Sequence, residues 1–192
     1  MGLPGRYAVD MDLRCYLGHG ASGTAASMTP FVQGLQSRGF AATAIDLPRR
    51  KAEDAVPAFH LVVPSAPGIV VGGHSYGGRV ASLAAAEPGA PYAALVLFSF
   101  PLHPPGGHER AAARSAHLAS IRCPTLFLSG ERDPFARLDL LQAAVAMVAG
   151  PHELVTYPRL GHTLRPVLDD VLDRVGAFLR AIGSAGPAAV AG

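Results

Sequence analysis

Two cysteines, Cys15 and Cys123, are all that 192 residues contain. Both fall in predicted strands, so free buried thiols in a reducing compartment are expected, not a disulfide framework. Charge is scarce as well: 16% of residues are charged and the formal net charge is +2. The one short basic run, Arg49-Arg50-Lys51, reads as a solvated corner, which gives nucleic-acid binding little support. No run of about eighteen apolar residues occurs, so no membrane span is expected. The first residues lack a charged stretch followed by an apolar one, so no secretory signal is expected and the cytoplasm is the expected location. No His or Asp pair shows ligand spacing on one helix or loop, so neither a metal nor another cofactor is expected.

What is present is apolar. Hydrophobic residues make up 49% of the chain, enough for a sizeable core in one domain. Short apolar runs alternate with longer helical stretches. Strands are predicted at Leu13 to Leu17, Phe40 to Ile45, Ile69 to Val71, Ala93 to Phe98, Thr125 to Ser129 and Glu153 to Tyr157. Helices are predicted at Thr24 to Arg38, Val80 to Ala86 (starting near Gly78), Arg110 to Ala119, Arg137 to Val148 and Leu164 to Ile182. Pro57 and Pro64 limit any helix between Lys51 and Ser65 to a short one. The domain is thus expected over residues 1–182, with the small residues and proline of 183–192 forming a disordered tail. Six strands alternating with helices argue for an α/β fold, a mainly parallel sheet covered on both faces. Chemistry in such a sheet collects beyond the carboxyl ends of the strands.

The segment Gly73-His74-Ser75-Tyr76-Gly77 sits between the third strand and the helix that follows it. A serine on so sharp a turn needs small neighbours two positions either side, where a Cβ would block the passing chain. Its hydroxyl would stand clear of the sheet, with the helix N-terminus favouring developing negative charge. The same pattern also suits a purely structural glycine turn. A serine becomes a useful nucleophile only beside a base, and the base needs an anion to fix its tautomer. Eight histidines are available; His162 stands out, on the loop between the last strand and the last helix, though a surface loop histidine would read alike. Asp133 follows the fifth strand, in the order serine, acid, histidine; as Asp-Pro it also suits a turn or a helix N-cap. Glu131 is the substitute acid. The backbone N–H of Tyr76 would be one oxyanion donor, and the loop Gly18-His19-Gly20-Ala21-Ser22-Gly23 would supply the second, from Ala21 first and Ser22 next. That loop lacks the Gly-Lys-Ser/Thr ending of a phosphate cradle and the three-glycine spacing of a dinucleotide fingerprint.

With these elements in chain order, the sequence resembles the α/β-hydrolase superfamily from about Leu13 to Ile182. More narrowly, it is similar to a small lidless group that includes testis-expressed protein 30 and subunit 3 of the NSL histone-acetylation complex, related to dienelactone hydrolases. That closer likeness rests on His19-Gly20-Ala21-Ser22-Gly23, Gly77-Gly78-Arg79 and Phe100-Pro101-Leu102-His103-Pro104-Pro105-Gly106, with Cys123-Pro124-Thr125-Leu126, Gly130-Glu131-Arg132-Asp133-Pro134-Phe135 and Gly161-His162. The resemblance implies Ser75 as nucleophile, Asp133 as acid and His162 as base. It also implies that the first two antiparallel strands of the superfamily sheet are absent and that no lid lies between the fourth and fifth strands.

The expected activity is hydrolysis of a small or exposed ester, thioester or amide through an acyl-enzyme, with a small-molecule acyl substrate and no nucleic-acid or membrane partner. His19, Ser22 and His103 are the candidates for substrate contact; His103, held between prolines, is equally readable as structural. Two other readings stay open: a catalytically silent interaction module on the same fold, and an acyltransferase using an acceptor other than water.

Overall fold

Continuous apolar runs fit strands that are buried on both sides, and among the described residues such strands lie at the centre of one six-stranded sheet. The computed structural model describes residues 12–185. In chain order the elements are β1 (Arg14–Gly18), α1 (Thr29–Gln36), β2 (Ala41–Ile45), α2 (Ala52–Val62), β3 (Ile69–His74) and α3 (Tyr76–Ala85). Then come β4 (Ala94–Phe98), α4 (Ala111–Ser115), β5 (Thr125–Gly130), α5 (Leu138–Val145), β6 (His152–Tyr157) and α6 (Leu168–Ala185). The strand order is β2-β1-β3-β4-β5-β6, and every pair is parallel. The fold is therefore a single parallel α/β sheet with helices on both faces.

Alternation along each strand sends side chains to two cores. Leu95 and Leu97 of β4 pack with Phe59 of α2, Val80 and Ala84 of α3 and Leu141 of α5. Ala94, Val96 and Phe98 point the other way, to Phe31 and Leu35 of α1 and Val171, Leu172 and Leu179 of α6. Each fully buried Leu, Val or Phe contributes about 1.5–3 kcal/mol relative to exposure.

The chain winds outward in both directions from β1 and β3, so the strand order reverses between them. Gly18 at the end of β1 lies in register with Gly73 near the end of β3. Beyond the carboxyl edge, at such a reversal, sheets of this kind bind ligands.

Several element boundaries differ from expectation. The first helical segment opens with a 3-10 turn, Ala25–Met28, and becomes α-helical only at Thr29, with Pro30 in its first turn. Around Pro57, where a short helix is expected, α2 runs for eleven residues. Its missing N–H forfeits one ladder bond, but Ala52, Ala55, Val56 and Phe59 bury a continuous face that outweighs the loss. The expected helix from Arg110 to Ala119 is three short pieces, His108–Arg110, α4 and Ala116–Ser120. The last helix begins at Leu168, after a 3-10 turn over Arg165–Val167, and continues to Ala185. The rest of the expected tail lies outside the described residues. Among the described residues, no helix is long and apolar enough to cross a membrane.

Candidate active site

At the end of β3 the backbone turns abruptly into α3. Ser75 takes φ 51° and ψ −112°, a conformation that costs a non-glycine residue about 1–3 kcal/mol. Its N–H donates to the Phe98 carbonyl at the end of β4, 2.9 Å away, and Gly77 N–H donates to the His19 carbonyl at 2.9 Å. A Cβ on Gly77 would overlap the Gly18 backbone, so glycine there lets the turn and the loop after β1 meet main chain to main chain.

The loop after β6 brings His162 to this turn, and the loop after β5 brings Asp133 to His162. Nε2 of His162 lies 2.8 Å from Ser75 Oγ. Nδ1 lies 2.8 Å from Asp133 Oδ2 and 3.0 Å from Oδ1. The Asp133 side chain is fully buried while that of His162 is 23% exposed, so the imidazole can reach solvent and the carboxylate cannot. Oδ1 also accepts the Phe135 N–H at 2.8 Å, which fixes the carboxylate plane. The Phe135 ring packs on the imidazole with centroids 4.5 Å apart.

The two loops are tied to each other by backbone. Arg132 N–H donates to the Leu160 carbonyl at 2.8 Å and Glu131 N–H to the Tyr157 carbonyl at 3.1 Å. Gly130 permits the approach, since a Cβ there would overlap the Leu160 and Gly161 carbonyls. From below, the His74 Nε2–H donates to the His162 carbonyl at 3.1 Å. Burial pushes the His74 imidazole below its ordinary pKa, so it serves as a neutral donor. Glu131 instead accepts the Thr156 hydroxyl at 3.0 Å, leaving Asp133 as the carboxylate beside His162.

His19 and His103 are placed as internal struts. Nδ1–H of His19 donates to the Gly20 carbonyl at 2.8 Å, and Nε2 accepts the Leu47 N–H at 3.0 Å. With Nε2 used as an acceptor, the 3.7 Å approach of Asp46 is not an ion pair. His103 repeats the arrangement, donating to the Pro104 carbonyl at 2.9 Å and accepting the Arg137 N–H at 3.1 Å. Neither ring keeps a free nitrogen for a substrate. Ala21 and Ser22 are exposed on the loop after β1, and Ala21 borders the openings on both sides of Ser75. The N–H of Tyr76, first in α3, belongs to the turn that has no intrahelical acceptor.

One opening beside Ser75 is a cleft of about 390 Å³ whose wall includes Met28, Phe31, Phe135 and Leu164 together with His74, His162 and Arg165. Met28, Phe31 and Phe135 carry no catalytic signature, and sequence reading passes over them. It also passes over Ser99, fully buried at φ 51° just past β4 with a hydroxyl that has no protein partner.

A parallel sheet with its strand order reversing at a strained serine turn, and a histidine–carboxylate pair reaching that serine from later loops, defines an α/β-hydrolase type of architecture. The chain belongs to the alpha/beta hydrolase domain family, whose sequence model matches residues 15–180. Solved structures agree on the fold. Esterase 2 from Thermogutta terrifontis is 19% identical, covering 94% of this chain and 86% of that one with a TM-score of 0.71. A dienelactone hydrolase from Anabaena variabilis is 21% identical over 88% of this chain and 86% of its own, TM-score 0.65. A monoacylglycerol lipase from Paleococcus ferrophilus is 13% identical over 88% and 94%, TM-score 0.74.

Proposed function

We propose that the protein is a serine hydrolase that cleaves a small or exposed ester, or a thioester or amide, through an acyl-enzyme. The observation that carries this reading is the continuous relay from Ser75 Oγ through His162 to the buried Asp133, each step 2.8 Å long. His162 Nε2 takes the Ser75 proton as Oγ attacks the carbonyl carbon. The same nitrogen then protonates the leaving group, which departs and leaves an acyl ester on Ser75. Water, deprotonated by His162, attacks that ester; the acid leaves and Ser75 regains its proton. Asp133 holds Nδ1–H in place and stabilises the imidazolium. The N–H groups of Tyr76 and Ala21 receive the oxyanion, where losing one donor costs about a hundred- to a thousandfold in turnover.

Family membership and esterase structures of like fold support this reading, and the Thermogutta enzyme is described as phosphorylated by paraoxon. We place the chain among the lidless members, near those that testis-expressed protein 30 and subunit 3 of the NSL complex represent. The short helices between β4 and β5 leave the cleft open, which suits short acyl chains. Free, buried Cys15 and Cys123 suit a reducing compartment such as the cytoplasm.

Intact-mass detection of a fluorophosphonate adduct tests the proposal. One adduct is expected on the wild type, none on Ser75→Ala, and a greatly slowed one on His162→Ala. A folded wild-type protein that takes no adduct and hydrolyses no short ester rejects it in favour of a silent scaffold.

A further inference from the structure

Ser75 lies between two clefts that differ in charge. Against the first, whose one Lys, Arg, Asp or Glu is Arg165, stands a second of about 450 Å³, which also borders Ala21, Tyr76 and Phe135. Its wall carries five cations, Arg50, Lys51, Arg79, Arg110 and Arg114, and one carboxylate, Glu53. For a chain with a net formal charge of only +2, this is a concentration of one sign beside the reacting serine. Arg50 and Lys51 belong to the run that reads as a solvated corner in the sequence. The fold sets them opposite residues of α3 and the segment around α4.

The charges in this wall are under-neutralised. Arg79 is 5% exposed. It donates to Glu53 Oε1 and to the Arg114 carbonyl, both at 2.6 Å, and its Nε–H has no acceptor. Arg114 Nη2 reaches the Pro101 carbonyl only at 3.4 Å, and its buried Nε–H also lacks an acceptor. Glu53 is thus the single carboxylate for two adjoining guanidiniums. Glu109 sits 3.7 Å from Arg110, but both are largely solvent-exposed, where such a pair holds little charge in place. A buried guanidinium with an unused donor is costly and calls for an explanation.

Chemistry assigns the two clefts. His162 borders the first cleft, and its Nε2 must hand the proton to the leaving group, which therefore departs on that side. The acyl remainder then extends into the cationic cleft. Resting on the serine-hydrolase reading above, we infer that the acyl half of the substrate ends in a carboxylate held by this cluster, so that the protein acts on half-esters of small dicarboxylic acids. Guanidinium groups suit such an anion because their donors match the carboxylate fork.

The test compares 4-nitrophenyl hydrogen adipate with 4-nitrophenyl hexanoate, which match in length and leaving group, after subtraction of the uncatalysed rate. A third ester, of 6-(trimethylammonio)hexanoic acid, reverses the sign. Wild-type kcat/KM is expected to be about tenfold higher for the adipate half-ester than for the hexanoate, lowest for the cation, with the preference shrinking as salt screens it. Arg114→Gln should reduce the adipate-to-hexanoate ratio at least about threefold, and Arg110→Gln and Lys51→Gln, on exposed residues, probe the same ratio should the first variant misfold. Arg110→Lys, which keeps the charge, should retain it. Equal or faster turnover of the neutral ester by the wild type overturns the inference while leaving the hydrolase reading intact. Turnover of none of the three esters, with no fluorophosphonate adduct, removes the hydrolase reading and this inference together.

Discussion

Replacing Asp133 by Asn removes one charge and almost no volume, so its effect isolates what the carboxylate does for His162. In the native site Oδ1 accepts the Phe135 N–H at 2.8 Å and Oδ2 faces His162 Nδ1 at 2.8 Å. An asparagine must keep its oxygen toward Phe135; the flipped amide would set two donors against each other and leave a buried N–H unpaired, at about 1–3 kcal/mol. Its NH2 group then faces Nδ1, which can only accept. The imidazole is driven into the tautomer that carries hydrogen on Nε2, and Nε2 loses the lone pair that takes the Ser75 proton. The loss expected in kcat is about ten-thousandfold, equivalent to about 5 kcal/mol of transition-state stabilisation. Steady-state hydrolysis of 4-nitrophenyl acetate, paired with the fluorophosphonate adduct rate, measures it. Circular dichroism should show an unchanged fold, because the Phe135 bond survives. A folded Asp133→Asn protein within tenfold of wild type would refute the tautomer argument and put another group behind His162.

Three further outcomes follow from the packing and the charges. Gly130→Ala pushes the acid loop off the Leu160 and Gly161 carbonyls, so the adduct rate should fall by at least about a hundredfold, alongside a smaller loss in thermal stability; equal rates would show that the loops accommodate the methyl. Phe59→Ala empties a fully buried site in the core between α2 and the sheet and should cost about 3–5 kcal/mol in urea denaturation, with a cost below about 1 kcal/mol contradicting the packing described. Burial and, after it, the nearby Arg79 charge push His117 down from 6.5 to about 4. The unfolded chain then takes up a proton near pH 6.5 that the folded one refuses until about 4, so this group's stabilisation is complete above 6.5 and is lost as pH falls toward 4. Melting temperatures across that window should drop less steeply in His117→Gln than in the wild type, and parallel slopes would count against it.

The parts of this fold legible in the sequence are those whose causes are local. The turn at Ser75 declares itself because glycines at 73 and 77 and an apolar strand before it have few other uses together. Asp133 and His162 are legible through chain order, each just past a strand end, but their meeting depends on carbonyls of Leu160 and Gly161 that no spacing rule predicts. Where distant chain decides, reading residue by residue fails. Pro57 signals a break locally, yet the buried face of α2 carries the helix through it. His19 and His103 look available for substrate until Leu47 and Arg137 supply backbone donors to their second nitrogens. Arg50 and Lys51 are solvent-facing, as a solvated corner should be, but nothing in their run announces that α3 and the α4 segment bring Arg79, Arg110 and Arg114 to the same cleft.

The placement of Ser75 depends on main chain more than on side-chain packing. Sheet register sets Gly18 against Gly73, the His19 carbonyl takes the Gly77 N–H, and the Phe98 carbonyl takes the Ser75 N–H. Three strands therefore hold the turn, and none of these bonds requires a serine. Glycine would adopt φ 51° without the strain that serine suffers, and would do so with the same hydrogen bonds. A serine kept at that conformation, with its hydroxyl 2.8 Å from an imidazole and facing an open cleft on either side, is costly as scaffold and economical as a nucleophile. The strain thus weighs toward chemistry at Ser75, because the stability of the sheet gains nothing from it.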